Sequence, residues 1–235
     1  MIFTYGINPR RKHPLITVPF ADHAPPAAIR QAKKNGMDVA ELRIDLYSSH
    51  KKDRVLHEIK KFKALPIIAT IRSKKEGGQW SGSERERLEL FKSVLPHVGA
   101  VDIELGSKSI LKEVVREAHR LKKTAIISYH NFKKTPDPRF LVKILKEAKA
   151  AGADVVKIAV MARSKKDLRT MADFTASHAE ERIITLSMGR EGALSRILFP
   201  LLGSLMTFAH VGRPTAPGQW DLKTTVFYFK KLDLV

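Results

Sequence analysis

The sequence predicts a single-domain α/β protein, a (β/α)8 barrel of the TIM type that spans residues 1–235. Eight short apolar runs, each bounded by turn residues, have the character of buried β-strands. These runs begin every 23 to 34 residues, and the segments between them have helical spacing. No linker, low-complexity segment or shift in composition marks a second domain. Eight strand-helix units in this length suit a closed barrel better than an open doubly wound sheet.

The predicted strands follow the chain at residues 15–20, 38–46, 66–72, 100–105, 124–130, 154–160, 182–188 and, more weakly, 205–211. The segments predicted to be helical include SERERLELFKSVLPH, SILKEVVREAHRLKK and RFLVKILKEAKAAG. The last of these runs to Gly152, and glycine is favoured just beyond a helix C-terminus. Residues 1–14 precede the first strand and are expected to form a basic N-terminal extension of the domain.

The composition restricts the function through charge and through the absence of cysteine. The chain has 43 Lys and Arg against 24 Asp and Glu, a net charge of +19, and no Cys, which excludes disulfides and thiolate chemistry. The charge favours anionic partners. The basic residues nevertheless occur as scattered doublets without interleaved aromatic residues, which argues against a nucleic-acid-binding protein. No apolar run has the length of a signal segment or a membrane span, so we expect a cytoplasmic protein with no membrane partner.

Charged and polar residues occur near the C-terminal ends of the predicted strands, where barrels of this type carry their chemistry. Residues at alternate positions of a strand share a face. The sets predicted to share a face are Glu41, Arg43 and Asp45 in the second strand, Asp102 and Glu104 in the fourth, and Thr185 and Ser187 in the seventh. Arg72 and His130 close the third and fifth strands. We expect these side chains to point into one mouth, although salt bridges in the barrel floor would explain two or three of them.

Lys157 lies in the middle of the apolar sixth strand, within GADVVKIAVM. An unpaired buried ammonium is costly, so burial among apolar side chains and beside arginines should leave this amine partly uncharged. An uncharged amine attacks ketones and aldehydes, and a histidine such as His130 on the neighbouring strand is suited to move the protons. The residues alone favour a Schiff-base lyase or aldolase over a structural ion pair of Lys157 with Asp102 or Glu41.

Seven motifs in order along the chain resemble the type I 3-dehydroquinate dehydratase family: ELRIDLY, ATIRSKKEGG, VDIEL, ISYHNF, ADVVKIAVM, ITLSMGREGALSR and APGQW. The resemblance extends from about Ile16 to Asp221. It implies dehydration of 3-dehydroquinate to 3-dehydroshikimate, the third step of the shikimate pathway to aromatic amino acids. It also implies that no cofactor is used. Dimers are common in proteins of this kind, so a homodimer is a further expectation.

The resemblance also implies catalytic roles for three residues. Lys157 would condense with the ring ketone to give an iminium ion. His130 would remove the acidified proton from the adjacent carbon and then protonate the departing hydroxyl. Glu76, in RSKKEGG, would hold the orientation and tautomer of His130. Asp102 would lie near the amine.

The resemblance assigns the remaining residues to substrate binding. Arg196 would clamp the substrate carboxylate. The ring hydroxyls and neighbouring side chains would be held by Glu41, Arg43 and Arg72. Thr215 and Gln219 would belong to a loop that closes over the substrate. Met188 would supply an apolar wall. The sequence differs from better-known members at Tyr129, Asn131 and Thr215, without loss of a catalytic group.

Two other functions fit parts of the sequence. A barrel aldolase would also use a Schiff-base lysine but would bind a sugar phosphate after the seventh strand, whereas Arg196 and the APGQ loop favour a carboxylate and ring hydroxyls. A basic nucleic-acid-binding protein would require clustered phosphate contacts. The histidines include no HExxH motif, and neither GxxxxGK[ST] nor GxGxxG is present, so we expect no metal and no nucleotide.

Overall fold

The structure is a computed structural model that describes residues 13–235 of the chain. The predicted N-terminal extension therefore lies, for residues 1–12, outside the described residues. The strands are β1 (Leu15–Phe20), β2 (Val39–Arg43), β3 (Ile67–Thr70), β4 (Ala100–Glu104), β5 (Thr124–Asn131), β6 (Val155–Met161), β7 (Ile183–Met188) and β8 (Met206–Phe208). The α-helices are α1 (Pro26–Lys34), α2 (Lys52–Lys60), α3 (Glu84–Val94), α4 (Leu111–Arg120), α5 (Pro138–Ala150), α6 (Lys165–Ser177), α7 (Ser195–Leu201) and α8 (Leu222–Lys231).

The eight strands form one parallel sheet in the order β7-β6-β5-β4-β3-β2-β1-β8, with helices packed around the outside. The ends of this order meet through two hydrogen bonds. The Leu205 N–H donates to the Ile183 carbonyl at 2.9 Å, and the Thr185 N–H donates to the Ser204 hydroxyl at 3.0 Å. The prediction of a single (β/α)8 barrel is confirmed. In the described part of the chain, every helix is too short or too polar to cross a membrane.

The barrel interior is apolar at the N-terminal ends of the strands and polar above them. One buried apolar residue from each strand forms the floor: Leu15, Val39, Ile68, Ala100, Ile126, Val155, Ile184 and Met206. Two positions further along each strand, the side chains that share this inward face are Thr17, Glu41, Thr70, Asp102, Ser128, Lys157, Leu186 and Phe208. The floor is therefore not a salt-bridge network, and the charged side chains lie nearer the C-terminal mouth.

Local sequence signals explain where several helices begin and end. Ser83 and Glu86 form a reciprocal capping box at the start of α3, and the Asp137 carboxylate accepts the Phe140 N–H at the start of α5. After α5 the backbone reverses at Gly152, whose φ is +92°, a conformation that glycine adopts without strain. The three quoted helical segments are confirmed as α3, α4 and α5.

The second strand is shorter than predicted. It ends at Arg43, and Asp45 lies in a 3-10 turn, Ile44–Leu46, rather than on the strand face. Asp45 accepts two hydrogen bonds from the Arg43 guanidinium, at 3.0 and 2.8 Å. The chain leaves the sheet here because this buried pair, together with the Gln79 N–H bonded to Asp45, satisfies the polar groups at the end of the strand.

The prediction that Thr185 and Ser187 point into the mouth is wrong. The alternating face of β7 that points inward carries Ile184, Leu186 and Met188. The Thr185 hydroxyl lies 2.7 Å from the Thr175 hydroxyl of α6 instead. A hydroxyl that finds a partner in the surrounding helices is stable on the outward face, so polarity alone did not identify the inward one.

Candidate active site

One pocket lies at the C-terminal ends of the strands, with a volume of about 540 Å³ measured to its open mouth. Its lining includes all nine residues assigned to the site by sequence resemblance: Glu41, Arg43, Arg72, Glu76, His130, Lys157, Arg196, Thr215 and Gln219. Apolar or small residues complete it, namely Gly77, Phe132, Ala159, Leu186, Met188, Phe208 and Ala216. The mixed polar and apolar lining is typical of a small-molecule site.

Lys157 lies at the base of this pocket with 4% of its surface exposed. Its Nζ is 2.9 Å from Asp102 Oδ2, 3.3 Å from Glu41 Oε1, and 4.1 Å above the centre of the Phe208 ring. The sequence-based expectation of a partly uncharged amine considered apolar neighbours and arginines only. In the structure the amine also contacts two carboxylates and an aromatic face, so its surroundings are more polar than that expectation assumed.

Arg72 joins the lysine site to the neighbouring strands. Its guanidinium lies 2.9 Å from Asp102 Oδ2 and donates to the Ser128 hydroxyl at 2.7 Å, and that hydroxyl donates to Asp102 Oδ1 at 2.6 Å. Ser128 is the register partner of Lys157 across β5 and β6. Burial alone would raise the pKa of Asp102, but Arg72 and Lys157 hold it well below its ordinary value. Asp102 is therefore a carboxylate shared by two cations.

His130 and Glu76 form the second functional pair. The backbone N–H of His130 donates to Glu76 Oε2 at 2.8 Å, and the ring Nδ1 lies 2.9 Å from the same oxygen. Because this oxygen accepts the backbone N–H, the network assigns the proton of the ring to Nδ1 and leaves Nε2 with a free lone pair. Burial, followed by the positive charges of Arg72 and Lys157, lowers the pKa of His130 well below its ordinary value. The imidazole is thus neutral and able to accept a proton.

Glu76 is buried beside other carboxylates, and burial is the largest reason why its pKa rises to about 8. Arg72 opposes this rise, while Glu104 adds to it. At neutral pH the carboxyl is mostly protonated, and a proton on Oε1 leaves Oε2 free to accept both hydrogen bonds from His130. The pair therefore carries no net charge in the resting protein.

A short 3-10 turn, Lys74–Glu76, positions Glu76. Its entrance is held by Glu104, whose Oε1 accepts the Ser73 N–H at 2.8 Å. Its exit is Gly77, which has a φ of +79° and lies against Phe132, so that a Cβ would come within 2.5 Å of the ring. The left-handed backbone conformation favours glycine here, and any other residue would also displace the Phe132 ring.

Arg196, at the start of α7, is almost completely buried, with 2% of its surface exposed. Within residues 13–235 its Nε has no hydrogen-bond partner, and burial without a compensating carboxylate lowers its pKa to about 10. It is still charged at neutral pH. A buried, unpaired guanidinium on a pocket wall is costly unless an anion enters, so the geometry suits a carboxylate ligand.

Thr215 and Gln219 lie in the loop between β8 and α8. Gln219 Oε1 accepts the backbone N–H of Thr215 at 2.8 Å and its hydroxyl at 3.2 Å, while Nε2 donates to the Ala209 carbonyl at 3.0 Å. The loop is tied to the β7 loop where the Gly189 N–H donates to the Pro217 carbonyl. Gln219 therefore organises the loop in this structure, and its polar atoms are already hydrogen-bonded.

Sequence reasoning missed the aromatic part of the pocket. Phe208 covers the lysine amine, and Phe132 stacks near His130 with 6.5 Å between ring centres. Strand alternation could have found both, because Phe132 follows His130 by two positions and Phe208 follows the inward Met206 by two. By contrast, Tyr129 and Asn131 do not line the pocket. The Asn131 amide donates to the Tyr129 hydroxyl at 3.2 Å, and Asn131 Oδ1 caps the following turn.

Among residues 13–235, no three His, Cys, Asp or Glu side chains are grouped to hold a metal ion. The pocket instead combines an amine, a neutral imidazole and buried cations. Such a set can form an imine with a carbonyl compound, transfer protons beside it and bind a carboxylate. The expectation that no metal or cofactor takes part stays a prediction.

The chain is similar to known proteins in both sequence and fold. The family model for type I 3-dehydroquinase matches residues 16–231. The 3-dehydroquinate dehydratase of Methanococcoides burtonii is 38% identical over 194 residues, which cover 81% of this chain and 82% of the relative. The crystal structure of the Aquifex aeolicus 3-dehydroquinate dehydratase aligns with a TM-score of 0.84 at 33% identity, covering 94% of this chain and 100% of that one.

A third similar protein is the type I 3-dehydroquinate dehydratase of Clostridium difficile, solved with covalently modified comenic acid. It aligns with a TM-score of 0.83 at 29% identity, covering 94% of this chain and 92% of that one. The family match covers nearly all of the described residues and contains every residue of the pocket. The chain therefore belongs to the type I 3-dehydroquinase family.

Proposed function

We propose that this protein is a 3-dehydroquinate dehydratase that uses Lys157 to form a Schiff base and His130 to move protons. The observation that carries the proposal is the placement of a buried lysine amine and a neutral histidine in one pocket, on adjacent strands β5 and β6. The family to which the chain belongs supports the substrate, and with it a place in the shikimate pathway. We further propose a cytoplasmic enzyme, a homodimer, with no nucleic-acid partner.

The proposed reaction begins when the Lys157 ammonium gives up a proton, for which Asp102 and Glu41 are the contacting carboxylates. The amine adds to the ring ketone and water leaves, which gives an iminium ion. His130 Nε2 then removes a proton from the adjacent carbon, and the electron pair forms an enamine. Collapse of the enamine expels the β-hydroxyl as water, with the proton supplied by His130. Hydrolysis of the conjugated iminium releases 3-dehydroshikimate and the free amine.

Arg196 supports a carboxylate substrate over a sugar phosphate. It presents a single buried guanidinium that makes no ion pair with a described residue, and a planar guanidinium matches a carboxylate through two parallel hydrogen bonds. A barrel aldolase would instead bind a sugar phosphate after β7, the region in which Arg196 at the start of α7 lines the pocket.

Glu41, Arg43 and Arg72 are proposed to contact the ring hydroxyls and to hold one another. Arg43 is fixed by its two bonds to Asp45, and Glu41 accepts the Thr70 hydroxyl at 2.9 Å, so both are pre-oriented. Thr215 and Gln219 are proposed to close over the substrate. Because both polar ends of Gln219 are bonded within the loop, contact with substrate requires at least one of these bonds to exchange for a bond to a ring hydroxyl.

The test is chemical trapping. The protein is mixed with 3-dehydroquinate, reduced with borohydride and digested, and the modified peptide is identified by mass spectrometry. We expect one adduct, on Lys157, and none in the Lys157→Ala variant. An adduct on another lysine, or no adduct in an active preparation, would overturn the assignment.

The His130→Ala variant separates the two proposed roles. Imine formation uses the amine, so borohydride should still trap substrate on Lys157. Turnover requires proton removal, so kcat should fall by at least about a hundredfold. Turnover at the wild-type rate would contradict the role of His130.

A further inference from the structure

We propose that Arg87, a residue of the outer helix α3, is a positioning residue of the active site: through Glu104 it holds Arg72 and the turn that carries Glu76. Arg87 does not line the pocket and touches none of the proposed catalytic groups. Its side chain is nevertheless completely buried beneath the mouth. The proposal concerns how the site is held in place, and only its kinetic consequence depends on the proposed function.

The contacts of Arg87 use its whole guanidinium. Nε donates to the Ile71 carbonyl at 2.7 Å, directly after β3. One terminal nitrogen donates to the Ser107 hydroxyl at 2.9 Å, and the other donates to Glu104. The Ser107 hydroxyl in turn donates to Glu104 at 2.8 Å. Arg87 and Ser107 therefore fix the same carboxylate from two directions and anchor the segment that leads to Arg72.

Glu104 transmits this positioning to the active site. Its Oε2 is held by Arg87 and Ser107, which leaves Oε1 to accept the Ser73 N–H at 2.8 Å and to lie 3.3 Å from the Arg72 guanidinium. Ser73 opens the turn that presents Glu76 to His130. One carboxylate oxygen thus contacts both the arginine that pairs with Asp102 and the turn that supports the histidine.

The balance of charge makes Arg87 necessary for this arrangement. Burial would raise the pKa of Glu104, but Arg72 and Arg87 keep it below its ordinary value. Without Arg87, the Glu104 carboxylate would attract Arg72 more strongly. Arg72 would then be drawn away from Asp102. The charged groups facing the His130 and Glu76 pair are Arg43, Arg72, Asp102, Glu104 and Lys157. If Arg72 moves away and the charge of Glu104 is less compensated, the pKa of His130 should rise, because negative charge near the ring favours its protonated form.

The primary test follows His130 by NMR and needs no substrate. Histidine-selective spectra, assigned with a His130→Asn variant, give the pH at which the ring titrates. Arg87→Met should move this titration to higher pH by about one unit, which corresponds to a tenfold change in protonation. Glu104→Gln removes the opposite charge and should move it to lower pH. The double variant should titrate close to Glu104→Gln and not at the sum of the two shifts, because Arg87 acts through the charge of Glu104.

Two controls separate positioning from mere stability. Arg87→Lys keeps the charge and should leave the His130 titration close to that of the wild type, although its Tm falls. Glu84→Gln removes only the exposed partner of Arg87 and should leave both the His130 titration and the Tm unchanged. A lower Tm in Arg87→Met with an unmoved titration, or an unmoved titration in Glu104→Gln, would overturn the proposal. The Glu104→Gln arm decides the question if Arg87→Met does not fold.

Kinetics provide the second readout. With 3-dehydroquinate, Arg87→Met should lower kcat by about ten- to a hundredfold, with KM changed less than about twofold, because a shift of an ångström in catalytic groups has this effect. The acid limb of kcat/KM should move to higher pH with the NMR titration. If the wild type lacks this activity, the proposed function fails, while the NMR comparison still decides the role of Arg87.

Discussion

One carboxyl oxygen of Glu76 accepts the backbone N–H of His130 at 2.8 Å and lies 2.9 Å from its ring Nδ1. The ring is thereby held in a single orientation, with Nε2 towards the pocket. Because burial raises the pKa of Glu76 to about 8, the orienting group is mainly a neutral carboxylic acid at neutral pH. This differs from the usual arrangement in which an ionised carboxylate supports a histidine.

Because the Glu76 carboxyl is mainly neutral at neutral pH, its charge should matter less to catalysis than its hydrogen-bonding oxygen. Glu76→Gln keeps an acceptor oxygen and no charge, so kcat should fall by only about tenfold. Glu76→Ala removes the acceptor and should lower kcat by about a hundredfold. Steady-state kinetics at pH 7 measure both, with borohydride trapping as the check that imine formation persists. Equal losses in the two variants would show that the carboxyl acts through its charge.

The raised pKa of Glu76 also predicts a dependence of stability on pH. The folded state holds this proton up to about pH 8, whereas the unfolded carboxyl loses it near the ordinary value of 4.5. The favourable contribution is complete below pH 4.5 and is lost as the pH rises towards 8. The free energy of unfolding of Glu76→Gln, relative to wild type, should therefore increase between these pH values. Urea titrations at several pH values measure it, and a flat difference would contradict the raised pKa.

Arg196 is predicted to affect binding and stability in opposite directions. Its Nε has no hydrogen-bond partner and its guanidinium makes no ion pair among residues 13–235, so Arg196→Met should raise Tm by removing a poorly compensated buried charge. The same change should raise KM for 3-dehydroquinate by at least about tenfold, since a hydrogen bond to a charged group is lost. Calorimetry and steady-state kinetics give the two values. A lower Tm would indicate that Arg196 is already paired in the free protein.

The net charge of +19 is predicted to attract the anionic substrate. Lys133 and Lys134 are exposed on the loop after β5, at the pocket face, and Lys33 and Lys34 end α1 at the opposite face. kcat/KM should fall as salt rises from about 0.01 M to about 1 M, where screening becomes short-ranged. Replacing Lys133 and Lys134 by glutamine should weaken this dependence.

The matched control replaces Lys33 and Lys34 by glutamine, which changes the net charge equally at the opposite face. It should leave the salt dependence close to that of the wild type. Equal effects of both double variants, or no salt dependence in the wild type, would exclude attraction directed at the mouth.

Much of the barrel could be predicted from the sequence because each strand needs a continuous apolar run to be buried on both faces. All eight runs are strands, and β1 has the predicted bounds. The predicted ends of the second, third and eighth strands were wrong: β8 ends at Phe208, and the other two end beside buried charged residues. Asp45 left the strand to pair with Arg43, and Arg72 lies beyond the end of β3.

The direction in which strand side chains point, into or out of the barrel, was harder to predict than the positions of the strands. Thr185 and Ser187 have the same alternation as Asp102 and Glu104, yet point outward, because the inward phase of a strand depends on its neighbours in the closed sheet. The burial of Arg87 could not be predicted either. A charged residue in a helical segment is normally expected to face solvent, and its buried partners are known only once the chain has folded.

The fold, the family and the presence of a lysine within a buried strand could all be predicted from the sequence. Each of these follows from local pattern or from the order of motifs. The charge states of His130 and Glu76 could not be predicted in this way. Whether His130 is a neutral base and Glu76 a neutral acid depends on which charges lie within a few ångströms. Those neighbours come from strands and turns far apart in the chain, and closure of the barrel brings them together.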